Sequence, residues 1–263
     1  MPNHPNPALL EQLKAHLMYY AETGIDRFDP KAVSGARKLT TAARREKNNS
    51  VLPTPQPEPS PQTSLFSKSS PISVHDSSLE EVREDLGNCQ RCKLCQDRTH
   101  IVFGAGNPQA RLVFVGEGPG VDEDRQGLPF VGRAGQLLTK MIEAIQMQRD
   151  EVYICNVVKC RPPGNRTPEE DEITACSPFL VRQLAVLQPE LICCLGVTAA
   201  QTLLKVRTPI GRLRGEIHSF HDTRLLATYH PAYLLRNPAA KRHVWEDLKR
   251  IRALLSSSQP SKA

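Results

Sequence analysis

Cysteines with metal-ligand spacing are the first residues in this sequence that suggest chemistry. Cys89 and Cys92 form a C-x2-C pair, and Cys160 and Cys176 follow at longer intervals. Four thiolates hold either a zinc ion or an iron–sulfur cluster, and this spacing is compatible with both. Cys95 adds a third cysteine at the interval of the first pair, so the stretch also looks ferredoxin-like. The sequence therefore predicts a metal or cluster site.

A second set of candidate residues follows apolar runs that we predict to be strands. Glu117, Gly196 and His230 each come directly after such a run, and Asn156 is the last residue of one. A carboxylate can orient water, an amide can bond the edge of a base, and an imidazole can stabilise a developing oxyanion. Any one of them alone is more often a turn residue or a helix cap. Together they predict a ligand crevice at one edge of a sheet.

The elements that position these residues alternate along the chain. The predicted strands are four short apolar runs, at 111–116, 151–156, 191–195 and 224–229. The predicted helices lie between and after them, at 135–145, from Thr167 onward, at 198–204 and at 241–255. Thr167 is the expected N-cap of the long second helix, with Pro168 at its first position. Strands separated by helices predict an α/β fold with parallel strands and helices on both faces.

The chain divides by composition into four parts. Residues 1–48 are predicted to form a helical extension, because apolar residues recur at helical spacing within 8–22. Residues 49–78 are rich in Pro, Ser, Thr and Gln and are predicted to be a disordered linker. The folded domain is expected to span 79–256, and 257–263 a disordered tail. The N-terminal part is thus expected to be a flexible extension of one domain.

Composition limits the class of protein and its location. Hydrophobic residues make up 39% of the chain and the formal net charge is +6, which permits an anionic partner without proving one. No apolar run reaches the ~18 residues of a spanning helix, and the N-terminus does not resemble a secretory signal. Eight cysteines in such a chain indicate reduced thiols, and we expect a cytoplasmic protein. Cys155, Cys193 and Cys194 lie within apolar runs and are expected to pack in the core.

Six motifs occur in an order that is specific to one protein family. They are Asn88-Cys89-x-x-Cys92, Val102-Phe-Gly-Ala-Gly106, Gly116-Glu-Gly-Pro-Gly120, Gly127-Leu-Pro-Phe-Val-Gly-Arg-Ala-Gly135, Asn156-Val-Val-Lys-Cys-Arg-Pro-Pro163 and His230-Pro-Ala-Tyr-Leu-Leu-Arg-Asn-Pro238. With them the chain resembles the family 4, iron–sulfur uracil-DNA glycosylases of bacteria and archaea. The resemblance covers about residues 86–255 and leaves residues 1–80 outside it.

The resemblance implies a fold and an activity. The fold is a three-layer α/β/α sandwich with a four-stranded parallel sheet. The activity is hydrolysis of the N-glycosidic bond of uracil in DNA, which leaves an abasic site and initiates base excision repair. The expected partner is uracil-containing DNA, the expected state is a monomer, and the N-terminal extension is a candidate docking segment for a repair or replication protein.

The resemblance also assigns roles to residues of the crevice. Phe130 is expected to stack on the flipped uracil, Asn156 to read its amide edge, and His230 to bond the O2 oxygen on which charge builds. Glu117 is expected to orient water or stabilise the sugar cation. The best-studied members of the superfamily carry an Asp and a Tyr where this chain has Gly118 and Gly120. Glu117 is expected to replace the Asp, and Glu123 is our candidate to replace the thymine-excluding Tyr.

For the cysteines, the resemblance implies Cys89, Cys92, Cys160 and Cys176 as ligands of a structural 4Fe–4S cluster, with Cys95 as a bystander. For DNA it suggests apolar groups that fill the gap left by the extruded base, with Leu234 and Leu235 as candidates. Three basic residues are candidate phosphate contacts, namely Arg133, Lys159 and Arg236.

Two other functions remain open on sequence grounds. One is a related glycosylase with a shifted base preference, and the other is a non-catalytic, metal-bound binder of damaged DNA. A relative that bonds covalently to DNA carries a basic loop with a histidine after the second strand. Residues 161–167 contain no histidine, which disfavours that class.

Overall fold

The computed structural model describes residues 78–257. The helical extension predicted for 1–48 lies outside it, as do the linker predicted for 49–78 and the tail predicted for 257–263, except for their end residues Ser78 and Ser257. The helices are α1 Leu79–Leu86, α2 Val121–Gln126, α3 Arg133–Ala144, α4 Glu170–Leu187, α5 Val197–Leu204, α6 Ile210–Leu213, α7 Pro231–Arg236 and α8 Lys241–Ser257. The strands are β1 Ala105–Gly106, β2 Leu112–Gly116, β3 Tyr153–Asn156, β4 Leu191–Leu195, β5 Ile217–Phe220 and β6 Thr223–Thr228. Within this part of the chain, no helix has the length and apolar character needed to span a membrane.

All six strands form one sheet in the order β1-β3-β2-β4-β6-β5. The four central strands are parallel and are the four that the apolar runs predict. The two edge strands are antiparallel to their neighbours and were not predicted. β3 lies on one side of β2 and β4 on the other. The order in which the chain adds strands therefore reverses at β2. A crevice at the carboxyl ends of the strands is expected at such a point.

Alternate residues of each central strand point to opposite faces of the sheet. On one face, Val113, Val115 and Cys194 belong to a core cluster that includes buried residues of α4 and α5. On the other face, Phe114 and Cys193 belong to a cluster that includes α3 and α8. Helices therefore cover both faces, which confirms the predicted three-layer α/β/α architecture. The continuous burial of β2, β3 and β4 is typical of strands covered on both sides.

The long helix α4 begins two residues later than the sequence predicts. Its N-cap is Glu169, not Thr167, and the backbone N–H of Glu169 donates to the buried carboxylate of Glu172 at 2.7 Å. Arg166 donates to both oxygens of the same carboxylate, at 2.8 and 2.6 Å. This two-pronged ion pair keeps the segment before Glu169 extended, so the prediction of Thr167 as the cap was wrong.

Candidate active site

A cavity of about 590 Å³ lies at the carboxyl ends of the central strands. The loops after β2, β3 and β4 and the start of α7 supply most of its wall. Eight of the predicted site residues line it, namely Glu117, Gly118, Glu123, Phe130, Arg133, Asn156, His230 and Arg236. The structure therefore brings the whole predicted catalytic and substrate-binding set together around one cavity.

Asn156 ends β3 and is almost completely buried, with 1% of its surface exposed. Its Oδ1 atom is the one buried side-chain oxygen or nitrogen without a hydrogen-bond partner among residues 78–257. A Cβ atom on Gly116 would lie 2.3 Å from this oxygen, so only glycine fits at the end of the neighbouring strand β2. An unpaired buried acceptor is costly, and in a cavity wall it indicates a ligand that donates a hydrogen bond.

The rings of Phe130 and His230 lie next to each other in the cavity wall. The centroids of the Phe130 and His230 rings are 5.5 Å apart, and the ring planes are tilted by 35°. The Phe130 backbone has a φ of 53°, a left-handed conformation that is rare for a bulky residue. Such strain persists only where the surrounding structure imposes it, and it is concentrated at functional sites.

His230 caps helix α7 with its side chain. The backbone N–H of Ala232 donates to Nδ1 of His230 at 3.1 Å. Burial lowers the pKa of His230, the positive charge of Arg236 adds to this effect, and together they bring it to about 4. The imidazole is therefore neutral near pH 7, and because Nδ1 accepts a bond its proton resides on Nε2. That N–H is a donor suited to an oxyanion in the cavity.

Glu117 follows β2 directly and is bonded to a residue on another element. The hydroxyl of Thr198, in the first turn of α5, donates to Oε2 of Glu117 at 2.5 Å. Burial raises the pKa of Glu117, while the Thr198 hydrogen bond opposes that rise. One oxygen is thus fixed, which leaves the other available to water or to a sugar cation. Sequence reasoning missed Thr198, although its place just after β4 was a signal.

Glu123 belongs to the cavity wall, where its carboxylate bonds backbone groups. Oε2 accepts from the N–H of Gly120 at 3.1 Å, and Oε1 accepts from Val131 and Gly132 at 2.8 and 2.9 Å. These bonds tie the start of α2 to the turn that carries Phe130. The role of Glu123 in excluding thymine stays a prediction, and the structure adds a role in holding this turn.

The predicted DNA contacts divide into exposed and buried residues. Arg133 and Arg236 are exposed at the rim of the cavity, and Leu235 is also exposed, so these three remain candidates. The prediction for Lys159 was wrong, because its side chain is completely buried and its ammonium group bonds protein oxygens. The prediction for Leu234 was also wrong, since it is 1% exposed and belongs to the core cluster beneath α7.

The four predicted ligand cysteines lie where α4 meets the loops before β1 and after β3. Cys160 and Cys176 are buried, whereas Cys89 and Cys92 are partly exposed. Burial raises the pKa of Cys160, Arg98 opposes this rise, the nearby thiols of Cys176 and Cys92 add to it, and the net pKa is about 11. Burial likewise raises the pKa of Cys176, and the thiols of Cys92 and Cys89 also raise it. The four sulfurs are thus electrostatic neighbours.

Three of these sulfurs accept hydrogen bonds from nitrogen donors. Arg91 reaches Cys89 at 3.7 Å and Arg98 reaches Cys160 at 3.4 Å, while the backbone N–H of Lys159 reaches Cys176 at 3.3 Å. Such donors stabilise thiolates and the negative charge of a cluster. In the described range, no three His, Cys, Asp or Glu side chains are arranged to hold a metal ion. The thiol groups and their hydrogen-bond donors suit a cluster in chemistry, whereas the side chains are not arranged around one metal position in this structure.

The remaining cysteines have packing roles or lie beside the set. Cys155, Cys193 and Cys194 are fully buried within β3 and β4, which confirms their predicted place in the core. Cys95 is partly exposed in a short 3-10 turn after Cys92. Its role as a bystander stays a prediction.

Comparison with known proteins agrees with this geometry. The model of the uracil DNA glycosylase superfamily matches residues 103–249. A type-4 uracil-DNA glycosylase of Sulfurisphaera tokodaii is 46% identical over 186 residues, which are 67% of this chain and 84% of that protein. A second, of Archaeoglobus fulgidus, is 41% identical over 70% of this chain and 96% of its own length. A third, of Thermotoga maritima, is 44% identical over 67% and 94% respectively.

Proposed function

The chain belongs to the uracil-DNA glycosylase superfamily and, within it, to the type-4 uracil-DNA glycosylases, and on this basis we propose that it excises uracil from DNA. The enzyme is a hydrolase of the N-glycosidic bond. It releases free uracil and leaves an abasic site, the first step of base excision repair. Because a base within a duplex is inaccessible, the nucleotide has to be flipped into the cavity.

The unpaired Oδ1 atom of Asn156 is the observation that carries this proposal. Uracil presents an N–H donor beside a carbonyl acceptor on one edge, and an amide side chain matches both with its oxygen and its NH2 group. Cytosine has an unprotonated ring nitrogen at that place and an amino group beside it, so it would oppose like groups. The ring of Phe130 beside Asn156 offers an apolar face for stacking.

Bond cleavage places negative charge on the uracil and positive charge on the sugar, and the cavity has a group for each. The Nε2–H of His230 is a neutral donor for the oxyanion at O2. The carboxylate of Glu117, held by Thr198, is an acceptor for the attacking water and a counter-charge for the sugar. Since Gly118 and Gly120 contribute no side chain, Glu117 takes the role that an Asp has elsewhere in the superfamily.

We propose a 4Fe–4S cluster as the cofactor, held by Cys89, Cys92, Cys160 and Cys176. The electrostatic proximity of these sulfurs and the donors from Arg91 and Arg98 support it. The group would supply a structural cross-link, because glycosidic hydrolysis transfers no electron. It would join the segment before β1 to the loop after β3 and to α4.

We also propose DNA contacts, an oligomeric state, a location and a docking segment. Arg133 and Arg236 at the cavity rim, and the exposed side chain of Leu235, are the proposed contacts to DNA. We propose that the protein acts as a monomer in the cytoplasm. None of the eight cysteines forms a disulfide in the structure, which supports a reducing compartment. Residues 1–48 are proposed to dock a repair or replication protein.

Release of free uracil tests this function directly. The purified protein is incubated with an oligonucleotide that contains one uracil, and with matched ones that contain thymine or hypoxanthine. We expect free uracil and an alkali-labile abasic site from the first only. Release of another base instead would favour a shifted base preference, and binding without release would favour a damage binder.

A further inference from the structure

The strained turn that presents Phe130 is held by two charged side chains from outside it. The carboxylate of Glu123 accepts from the two N–H groups that follow Phe130, those of Val131 and Gly132. On the other side, the guanidinium of Arg149 donates to the carbonyl oxygen of Pro129 at 2.6 Å. The turn is therefore bonded immediately before and immediately after its left-handed residue.

Arg149 also connects the turn to helix α3. Its second terminal nitrogen donates to the hydroxyl of Thr139 at 3.3 Å. Burial lowers the pKa of Arg149, whereas the negative charge of Glu123 opposes that effect, so the two side chains also interact with one another. The planar fork of an arginine suits two acceptors at once, which a lysine cannot match.

Helix α3 packs against the same turn from a third direction. A Cβ atom on Gly135 would lie 1.9 Å from the carbonyl oxygen of Phe130 and 2.0 Å from its carbonyl carbon. A glycine at this place thus lets the helix contact the backbone of Phe130 itself. The backbone of the turn is therefore held by Glu123, Arg149 and α3, which opposes a relaxation of the Phe130 φ.

We propose that Arg149 is a positioning residue for base recognition, which holds Phe130 in the conformation that stacks on uracil. Arg149 does not line the cavity, and it acts through the Pro129 carbonyl and the left-handed turn. The inference rests on the proposed function. A misplacement of about 1 Å in a positioning group can slow a reaction about 100-fold, so its effect on excision is measurable.

A double-mutant cycle with Arg149→Met and Phe130→Ala tests this inference. Arg149→Met alone should slow single-turnover excision by about 10-fold or more and weaken inhibition by free uracil. Introduced into Phe130→Ala, it should change the rate less than about 2-fold, because the group it positions is gone. Fully additive losses, or unchanged inhibition by uracil in Arg149→Met, would overturn the proposal.

Two further variants separate positioning from folding and from charge. Arg149→Lys keeps the positive charge and one donor group, and it should recover part of the inhibition by free uracil that Arg149→Met loses. If Arg149→Met does not fold, Arg149→Lys replaces it in the double-mutant cycle. Arg125→Met removes an exposed charge from α2 and should keep the parent rate. Failure of the proposed function would be seen first and separately, as a parent protein that releases no uracil.

Discussion

The ammonium group of Lys159 donates to the main-chain carbonyl oxygen of Asn156 at 2.7 Å, from a position with no exposure to solvent. Its second acceptor is Oε1 of Gln183 on α4, at 2.5 Å, and the amide of Gln183 in turn donates to the carbonyl of Phe103 at 3.0 Å. A buried lysine thus fixes the peptide of Asn156, the residue that we propose reads the base, and the network reaches from the cavity to α4.

Replacement of this lysine should destabilise the fold. Lys159→Met keeps the apolar stem but leaves two buried acceptors without donors, at about 1–3 kcal/mol for each. We expect the free energy of unfolding in urea to fall by at least about 2 kcal/mol. Lys140→Met, at an exposed site on α3, is the matched control and should stay within about 0.5 kcal/mol of the parent. Equal stability of the two variants would contradict the network.

Asn156→Asp should weaken uracil excision, because the carboxylate oxygen that replaces the NH2 group accepts hydrogen bonds and cannot donate one to a uracil carbonyl. The loss of one bond to a buried base edge, about 1–3 kcal/mol, corresponds to about 5-fold to 150-fold in rate. Single-turnover release of uracil measures it. Asn107→Asp adds the same charge in a loop outside the cavity wall and should keep the parent rate. Parent-like excision by Asn156→Asp would remove Asn156 from base recognition.

The lowered pKa of His230 predicts that the free energy of unfolding depends on pH. Burial lowers the pKa of His230 from its ordinary 6.5 to about 4, so the folded chain binds this proton less readily than the unfolded chain. The stability linked to His230 is therefore complete above about pH 6.5 and is lost as the pH falls toward about 4.

Urea unfolding at a series of pH values across this window measures that loss. His230→Asn, which keeps an N-cap acceptor for α7, should show a shallower loss than the parent. His243→Gln, at an exposed site on α8, should follow the parent curve. Identical curves for the parent and His230→Asn would show that the imidazole does not titrate with a lowered pKa.

The cofactor proposal predicts a coloured protein with about four iron atoms per chain after anaerobic purification. Cys160→Ser should lose the colour and the iron, and Cys95→Ser should keep both. Iron and sulfide analysis together with visible absorption give the readout. A colourless protein that contains stoichiometric zinc would reject the cluster, since zinc also accepts four thiolates.

Sequence reasoning located the central strands because each is an uninterrupted apolar run between polar residues. It missed β1 and β5, since a two-residue strand and a strand such as Ile217–Phe220, with two exposed residues, leave too short a pattern. The start of α4 was misplaced because the Arg166–Glu172 ion pair, which fixes it, joins residues whose pairing depends on the folded loop.

For the site, motif order was sufficient to identify Glu117, Phe130, Asn156 and His230 as neighbours of one cavity. It was insufficient for Lys159, because a basic residue beside a motif does not reveal whether its side chain points outward or into the core. Arg149 and Thr198 act on other residues through hydrogen bonds between different elements. Sequence patterns do not predict such contacts, and for Thr198 the only signal was its place just after β4.

Single-turnover excision of uracil with saturating enzyme tests the division of labour between His230 and Glu117 most directly. Loss of the oxyanion donor in His230→Ala should slow the step by about 10²- to 10³-fold, and loss of the carboxylate in Glu117→Ala by about 10²-fold. Both variants should keep DNA binding and the parent's visible spectrum. Excision at the parent rate by either variant, with its fold intact, would contradict the assignment of that residue to catalysis.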